Sequence, residues 1–182
     1  MVMKQVQSLR SFTPVLHGSP CKFTRLILWQ LFPKWFLGSS LPGSTWRIYL
    51  LRLFGARFGR LCRVKPGLNV SCPWNLVVGD DCWLGESVWL DSLASIRIGN
   101  SVCISQGSYL CTGNHDYKSS TFDLRLGPIS IDSQVWVGAK SVVAPSTIIC
   151  EGSVVCMGSV VSGVIHPFSI VRGNPAVFIG CR

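Results

Sequence analysis

Between Val137 and Val161 an aliphatic residue recurs at every sixth position, at Val137, Val143, Ile149, Val155 and Val161, and a hydroxyl follows the first four at Ser141, Thr147, Ser153 and Ser159. A period of six fits neither an α-helix nor an ordinary half-buried strand. It fits a parallel β-solenoid, in which each short strand forms one face of a coil and each coil packs only on its neighbours. The same frame runs through Val64 and Val70, then Val78, Leu84 and Leu90, then Ile98, Ile104 and Leu110; slips of two residues near Leu76 and Ile96 read as corner insertions. Gly79, Gly85 and Gly99 each follow an aliphatic position, where a coil turns tightly and a side chain would obstruct it.

From Leu110 to Ile131 the spacing is twenty-one, which is not a multiple of six. A loop must therefore leave the coil, and residues 111–130 carry Asn114, His115, Asp116, Tyr117, Lys118, Asp123 and Arg125. A loop expelled from a regular scaffold is where function concentrates. Near neutral pH, histidine is the side chain best suited to take a proton from a hydroxyl and pass it on. His115 is accordingly the candidate general base; its neighbour Asp116 either orients the imidazole or caps the turn.

Outside the frame the pattern changes. Residues 1–23 show no periodicity and predict a loosely held arm, followed by a helix from Thr24 to about Phe32 that Pro33 stops or kinks. After a Gly/Ser/Pro loop over 38–44, Thr45 caps a second helical stretch, Trp46 to Phe58, that ends near Gly55 or Gly59. Both helices are expected to cover the open end of the solenoid. Ser169 to Gly180 reads as a terminal strand with a turn at Gly173-Asn174-Pro175-Ala176. The chain thus divides into a basic arm with capping helices (1–63), a β-helix (64–166) and a C-terminal strand and turn (167–182).

Charge is divided as sharply as pattern. Of a net charge of +9, residues 1–65 contribute eleven Lys and Arg and no Asp or Glu, whereas 66–182 hold six basic and eight acidic residues. The arm suits an anionic lipid or a phosphorylated carrier, and no nucleic-acid recognition motif accompanies it, so nucleic acid is not expected. Arg47, Arg52 and Arg57, five apart, ring the second helix instead of gathering on one side, which favours end-capping over peripheral membrane contact, although the two are compatible.

Hydrophobic residues make up 48% and charged residues 14%, an excess that buried coils and a subunit interface would absorb. No apolar run reaches the length of about eighteen needed to span a bilayer. Nine cysteines without a Cys-x-x-Cys pair read as reduced, packed thiols. With no secretory signal pattern at the N-terminus, a cytoplasmic location is expected. His17, His115 and His166 lack metal-binding spacing, which argues against the three-histidine zinc site of γ-type carbonic anhydrases, and no metal is expected.

Several segments together carry a resemblance: Leu50-Leu-Arg-Leu-Phe-Gly-Ala56, Pro73-Trp-Asn-Leu76, Val102-Cys-Ile-Ser-Gln-Gly-Ser-Tyr-Leu-Cys-Thr-Gly-Asn-His-Asp-Tyr117, Thr121-Phe-Asp-Leu124 and Gly173-Asn-Pro-Ala176. Over about residues 24–180 the chain resembles the hexapeptide-repeat O-acetyltransferases, and among them the colanic-acid-biosynthesis branch of the maltose and galactoside acetyltransferase group. The resemblance implies an all-β, left-handed parallel β-helix, assembly as a homotrimer with active sites between subunits, and transfer of an acetyl group from acetyl-CoA to a sugar hydroxyl. His115 matches the family's catalytic base, acting without an acyl-enzyme. Gly138, Ala139, Ser159 and Arg172 are the implied acetyl-CoA contacts, and Trp136 matches a tryptophan near the active site. Asn114 and Tyr117 join it as acceptor candidates, and Asp91 and Glu86, one or two coils before the loop, stand as candidates for sugar hydroxyls or as solvated corners. Where relatives carry Thr-Lys this chain reads Ser162-Gly163, so a basic contact to CoA is missing, and Arg172 or Arg182 is the candidate replacement. The expected acceptor is a sugar or lipid-linked glycan of exopolysaccharide synthesis at the inner face of the cytoplasmic membrane. An antibiotic or serine hydroxyl, or a non-catalytic scaffold with a membrane-binding arm, are the alternatives.

Overall fold

Why a six-residue frame becomes a triangular coil is visible strand by strand in the structure, a computed structural model that describes residues 9–12, 20–31 and 33–182. Each coil lays one strand on each of three faces. The first holds β1 (Arg57–Phe58), β2 (Arg63–Val64) and β3 (Asn69–Val70); the second β4 (Leu76–Val78), β5 (Trp83–Leu84) and β6 (Trp89–Asp91). The third holds β7 (Ile96–Ile98), β8 (Cys103–Ile104) and β9 (Tyr109–Cys111), and from its end a hairpin, β10 (Gly113–His115) and β11 (Leu124–Leu126), leaves the stack. Regular coils resume with β12 (Ile129–Ile131), β13 (Trp136–Val137) and β14 (Val142–Val143), then β15 (Ile148–Ile149), β16 (Val154–Val155) and β17 (Val160–Val161). The last coil holds β18 (Val164–Ile165) and β19 (Ser169–Gly173), and β20 (Ala176–Cys181) turns back antiparallel on β19. The three faces are parallel sheets β1-β4-β7-β12-β15-β18, β2-β5-β8-β13-β16-β19 and β3-β6-β9-β14-β17, called faces 1, 2 and 3 below. The fold is a parallel β-helix of three sheets, as the sequence led us to expect.

The hexad aliphatics are the core. Val64, Val70, Leu84, Leu90, Ile104, Leu110, Val137, Val143, Ile149, Val155 and Val161 are all buried. The two frame slips arise because β4 and β7 are three residues long and turn both ends inward, burying Leu76 with Val78 and Ile96 with Ile98. The repeated hydroxyls are buried too, and each is bonded: Ser141 Oγ and Ser153 Oγ donate to the Cys156 and His166 carbonyls, Thr147 Oγ1 to Ala144, and Ser159 Oγ accepts the Gly173 N–H. A buried hydroxyl left unpaired costs about 1–3 kcal/mol, so corner carbonyls and hydroxyls must be read as one unit. At Gly85 an added Cβ would lie 2.5 Å from the Gln106 nitrogen of the next coil, which is why only glycine fits that corner.

Coils bond in both directions, because alternate residues of a parallel strand face opposite neighbours. Asn69, Trp89 and Tyr109 donate N–H to the Val88, Ser108 and Ser141 carbonyls of the following coil, each at 2.9 Å, whereas Asp81 and Ser87 donate back to the Arg60 and Pro66 carbonyls of the first. The first coil has no coil before it, so the groups it turns that way, the Val64 and Val70 carbonyls among them, need partners from outside the stack. Helices α1 (Pro20–Leu31), α2 (Pro33–Leu37) and α3 (Thr45–Leu53) lie over that end and supply donors to every face. Arg52 Nη2 donates to Phe58 O (2.8 Å) and Gly59 O (3.1 Å) on face 1, Ser44 Oγ to Val64 O (3.1 Å) on face 2, and Trp29 Nε1 to Val70 O (2.9 Å) on face 3. Buried Trp29, Leu37 and Leu51 continue the apolar core beneath them.

Several boundaries differ from the sequence expectation. Helix α1 starts at Pro20, not Thr24, and Pro33 opens α2, since a proline in a first turn gives up only an N–H without an intrahelical partner. Helix α3 ends at Leu53, beside the first of its two expected glycine stops and not the second, because Gly55 takes a left-handed φ of 95° and turns the chain into β1. The first coil thus begins at Arg57, inside the span assigned to the cap. The terminal strand is a hairpin of two strands. Most of the arm expected over residues 1–23 lies outside the described residues; within it stand a 3-10 turn, Leu9–Ser11, and Phe12.

The arginine ring also resolves differently. Arg47 is wholly buried, donating to the Leu37, Ser39, Leu41 and Gly43 carbonyls, so the 38–44 loop is wrapped around one guanidinium, and burial lowers its pKa. With Arg52 holding the first coil, only Arg57 of the three has no structural bond of this kind to a carbonyl.

Trp29→Phe, which keeps most of the apolar bulk and removes the donor, should lower the unfolding free energy by about 1–3 kcal/mol in urea melts, because the Val70 carbonyl is left buried and unpaired. Burial, more than any neighbour, pushes the Cys72 and Cys82 thiols up to about 11. At pH 8 both should resist a thiol reagent that labels exposed Cys181. Since the folded values lie above the ordinary value of 9.0, this contribution to stability is intact below about pH 9 and is lost as pH rises towards about 11.

Candidate functional site

Each coil passes through a first corner between faces 1 and 2, a second corner between faces 2 and 3, and a return corner from face 3 to the next face 1. The hairpin leaves at a return corner. Its root is stapled by Thr112, which is buried: Thr112 Oγ1 donates to Asp91 O (2.5 Å) and accepts the Ala94 N–H (2.9 Å), while its carbonyl accepts the Gly127 N–H (2.8 Å). Strands β10 and β11 pair Gly113 with Leu126, Asn114 with Arg125 and His115 with Leu124. The tip is tied by a polar knot. Asp123 accepts from Ser119 and Thr121 (both 2.7 Å), which, with Arg125 adding to them, hold its carboxyl below the usual range.

His115 is held on three sides. Its ring stacks on Phe122 at 4.3 Å between centroids and 4° between planes, and the Phe12 ring meets it edge-on at 5.5 Å. Nδ1 lies 2.8 Å from the Phe122 carbonyl. A carbonyl can only accept, so Nδ1 carries the hydrogen and the lone pair of the neutral imidazole sits on Nε2. The arrangement can accept a proton at Nε2 and stabilise the resulting imidazolium through the Nδ1–H to carbonyl bond. Phe122 adopts a left-handed φ of 52°, which turns ring and carbonyl together towards His115.

Asp116 takes the turn-capping role in this geometry: Oδ1 accepts the Lys118 N–H (3.0 Å) and Oδ2 pairs with Arg125 at 2.5 Å, while the group on Nδ1 is the Phe122 carbonyl. Arg125 is largely exposed, so the pair contributes at most about 1 kcal/mol. Asn114 Oδ1 accepts the His115 N–H, and Tyr117 is exposed beside Lys118. Asp91 sits on the same return corner, accepting from Ser71 Oγ (2.7 Å) and within 3.5 Å of the Tyr109 hydroxyl. Burial first, then Cys111 and Asp91, push the Tyr109 phenol upward, so it stays protonated.

The other candidates lie elsewhere. Glu86, Gly138, Ala139 and Ser159 stack along the second corner, and exposed Arg172 ends face 2 beside them, next to the Gly173 N–H bound to Ser159 Oγ. Gly138 serves the fold there: a Cβ would sit 2.5 Å from the Met157 nitrogen. Trp136, half-exposed on face 2, donates from Nε1 to Ser105 Oγ (2.9 Å) beside a groove of about 440 Å³ lined by Arg63, Lys65, Trp83, Glu86, Cys103 and Ser105. Ser162-Gly163 is an exposed return corner, and Arg182 is tied to the Gln134 and Gly152 carbonyls at first corners, away from Arg172.

One chain thus places its base and its second-corner candidates on different edges of the prism. Six residues of extended chain at about 3.3 Å each span roughly 20 Å, so face 3 separates them. Sequence reasoning missed Phe12 and Phe122, the two rings on His115. A phenylalanine seven residues after a histidine gives no sign that its φ is left-handed. Among the described residues no cluster of three or more His, Cys, Asp or Glu is placed to hold a metal ion, and no helix is long and apolar enough to cross a membrane.

Residues 128–162 match the model of the hexapeptide repeat of succinyl-transferase. Over 151 residues the chain is 42% identical to the Escherichia coli (strain K12) protein named "Putative colanic acid biosynthesis acetyltransferase WcaF", covering 83% of each chain. Among solved structures, a hexapeptide-repeat-containing acetyltransferase from Vibrio cholerae superposes with a TM-score of 0.82 at 25% identity, covering 90% of this chain and 94% of that one. A structure of the Vibrio cholerae O1 biovar eltor protein, complexed with acetyl coenzyme A, superposes with a TM-score of 0.79 at 22% identity over 98% of both chains.

In 15N NMR of histidine-labelled protein, neutral His115 should show hydrogen on Nδ1 and none on Nε2. Phe122→Gly, which removes the stacking ring, should shift the ring resonances and broaden them.

Proposed function

The chain belongs to the hexapeptide-repeat acetyltransferases, and from that premise we propose that it transfers an acetyl group from acetyl-CoA to a hydroxyl of a sugar or exopolysaccharide precursor, with His115 as general base. The observation that carries the assignment is the tautomer: the Phe122 carbonyl holds Nδ1–H and leaves the Nε2 lone pair for the acceptor. The acetyl coenzyme A complex of the Vibrio cholerae protein supports acetyl-CoA as the donor, and the colanic-acid name of the Escherichia coli relative supports a sugar as the acceptor.

In the proposed step Nε2 takes the hydroxyl proton as the acceptor oxygen attacks the thioester carbonyl. The tetrahedral intermediate collapses, the carbon–sulfur bond breaks, and the imidazolium returns its proton to the CoA sulfur. A thioester is already activated, so deprotonation and positioning are the tasks left to the protein, and no acyl-enzyme is needed. The stacked Phe122 and the edge of Phe12 keep the imidazole from rotating off line.

Donor and acceptor must meet at one base, yet the second-corner candidates and His115 lie on different edges of one chain. We therefore assign the complete site to two copies: the return corner of one and the second corner and groove of its neighbour, in a homotrimer. Arg172, exposed at the end of face 2, is the cation assigned to CoA phosphate in place of the residue that Gly163 does not supply.

His115→Ala should cut acetyl transfer, followed by mass spectrometry of sugar acceptors, by about 10²–10⁴-fold with an unchanged melting curve. Retention of full turnover would remove His115 from the reaction. Mixing unfolded His115→Ala and Arg172→Glu chains and refolding them together should give more turnover than either variant alone; failure to complement would place the site within one chain.

A further inference from the structure

Helix α1 is apolar on both sides. Trp29 is wholly buried against the first coil, while Ile27, Leu28 and Leu31, turned about 100–200° from it, are exposed at 43%, 54% and 69%. Trp35, on α2, is exposed at 79%, the highest value among the tryptophans whose exposure is given. An amphipathic surface helix has one apolar stripe, and a helix with a second one is built to be covered. Because Trp29 bonds Val70 O at the end of the solenoid, the second stripe faces away from the coils.

What covers it follows from charge. Neither α1, α2 nor α3 contains an Asp or Glu, and none occurs anywhere in residues 1–65. Arg25 is exposed on α1 beside Trp74, and Lys34 lies half-buried next to Trp35. A tryptophan and aliphatic stripe rimmed by cations, with no carboxylate to repel phosphate, matches the boundary between headgroups and acyl chains of an anionic bilayer. We propose that Ile27, Leu28, Leu31 and Trp35 form a docking surface for an anionic lipid membrane, with the solenoid standing end-on above it.

This differs from the arginine ring of α3, two of whose members are used inside the protein. It is also independent of the acceptor assignment, because none of its residues takes part in the proposed acetyl transfer. In a trimer with parallel prisms three such caps would face one plane, and binding would gain from three linked contacts.

The full-length protein is sedimented with vesicles of phosphatidylcholine alone and of phosphatidylcholine with one-third phosphatidylglycerol. Binding to the anionic vesicles, weaker at high salt, and at least tenfold weaker for Leu28→Glu/Leu31→Glu/Trp35→Glu, is the expected result. Trp35→Phe should retain most of it. Melting curves and the sedimentation coefficient of the triple variant, measured without lipid, should match the unsubstituted protein. Failure to bind anionic vesicles, or equal binding by the triple variant, overturns the proposal. A drop in oligomeric mass in the triple variant also overturns it, since the stripe would then be an interface between copies.

Discussion

The first coil of this protein has no coil before it, so the stack begins with backbone groups that no coil can serve, among them the Phe58, Val64 and Val70 carbonyls and the Val64 N–H. The cap answers that constraint face by face, with a guanidinium, a hydroxyl and an indole. The identity of residues otherwise unrelated in sequence, Arg52, Ser44 and Trp29, follows from it. So does the loop over 38–44: Arg47 organises its carbonyls, which sets the entry of α3 and puts Ser44 within reach of Val64. Helices cover one end of the stack, while a hairpin, β19 and β20, closes the other.

The solenoid is a rigid ladder with corners at fixed heights, and chemistry has to be hung on the corners. The return corner after β9 carries the one large excursion, and there the imidazole is oriented by the backbone and ring of Phe122. The second corners, by contrast, are occupied by glycine and small residues because successive coils pass within contact distance, as at Gly85 and Gly138. A residue type that looks like an accommodation for ligand is thus already required by the fold.

Much of the architecture was legible in the sequence because it repeats. The hexad marked the inward positions through Val161 and the twenty-one-residue gap marked the excursion that holds His115, whereas the slips at Leu76 and Ile96, which read as corner insertions, are three-residue strands. Single contacts without a repeat were not legible. Nothing in the sequence says that Phe122 curls back onto His115 or that Ser44 bonds a first-coil carbonyl instead of its own helix. The role of Asp116 was open from the sequence because a carboxylate next to a histidine satisfies two geometries equally well, and only the positions of Arg125 and Lys118 separate them.

The staple between Thr112 and Gly127 joins the two ends of the excursion within one hydrogen bond of the coil path. Chain that enters between those residues leaves the angular phase of all later coils untouched, so β12 follows β7 as though nothing had intervened. The hairpin is therefore an address at which length and composition are free variables, whereas a residue inserted within a strand would turn inward side chains out of the core. New side chains can be added there by insertion as readily as by substitution, without renegotiating the scaffold.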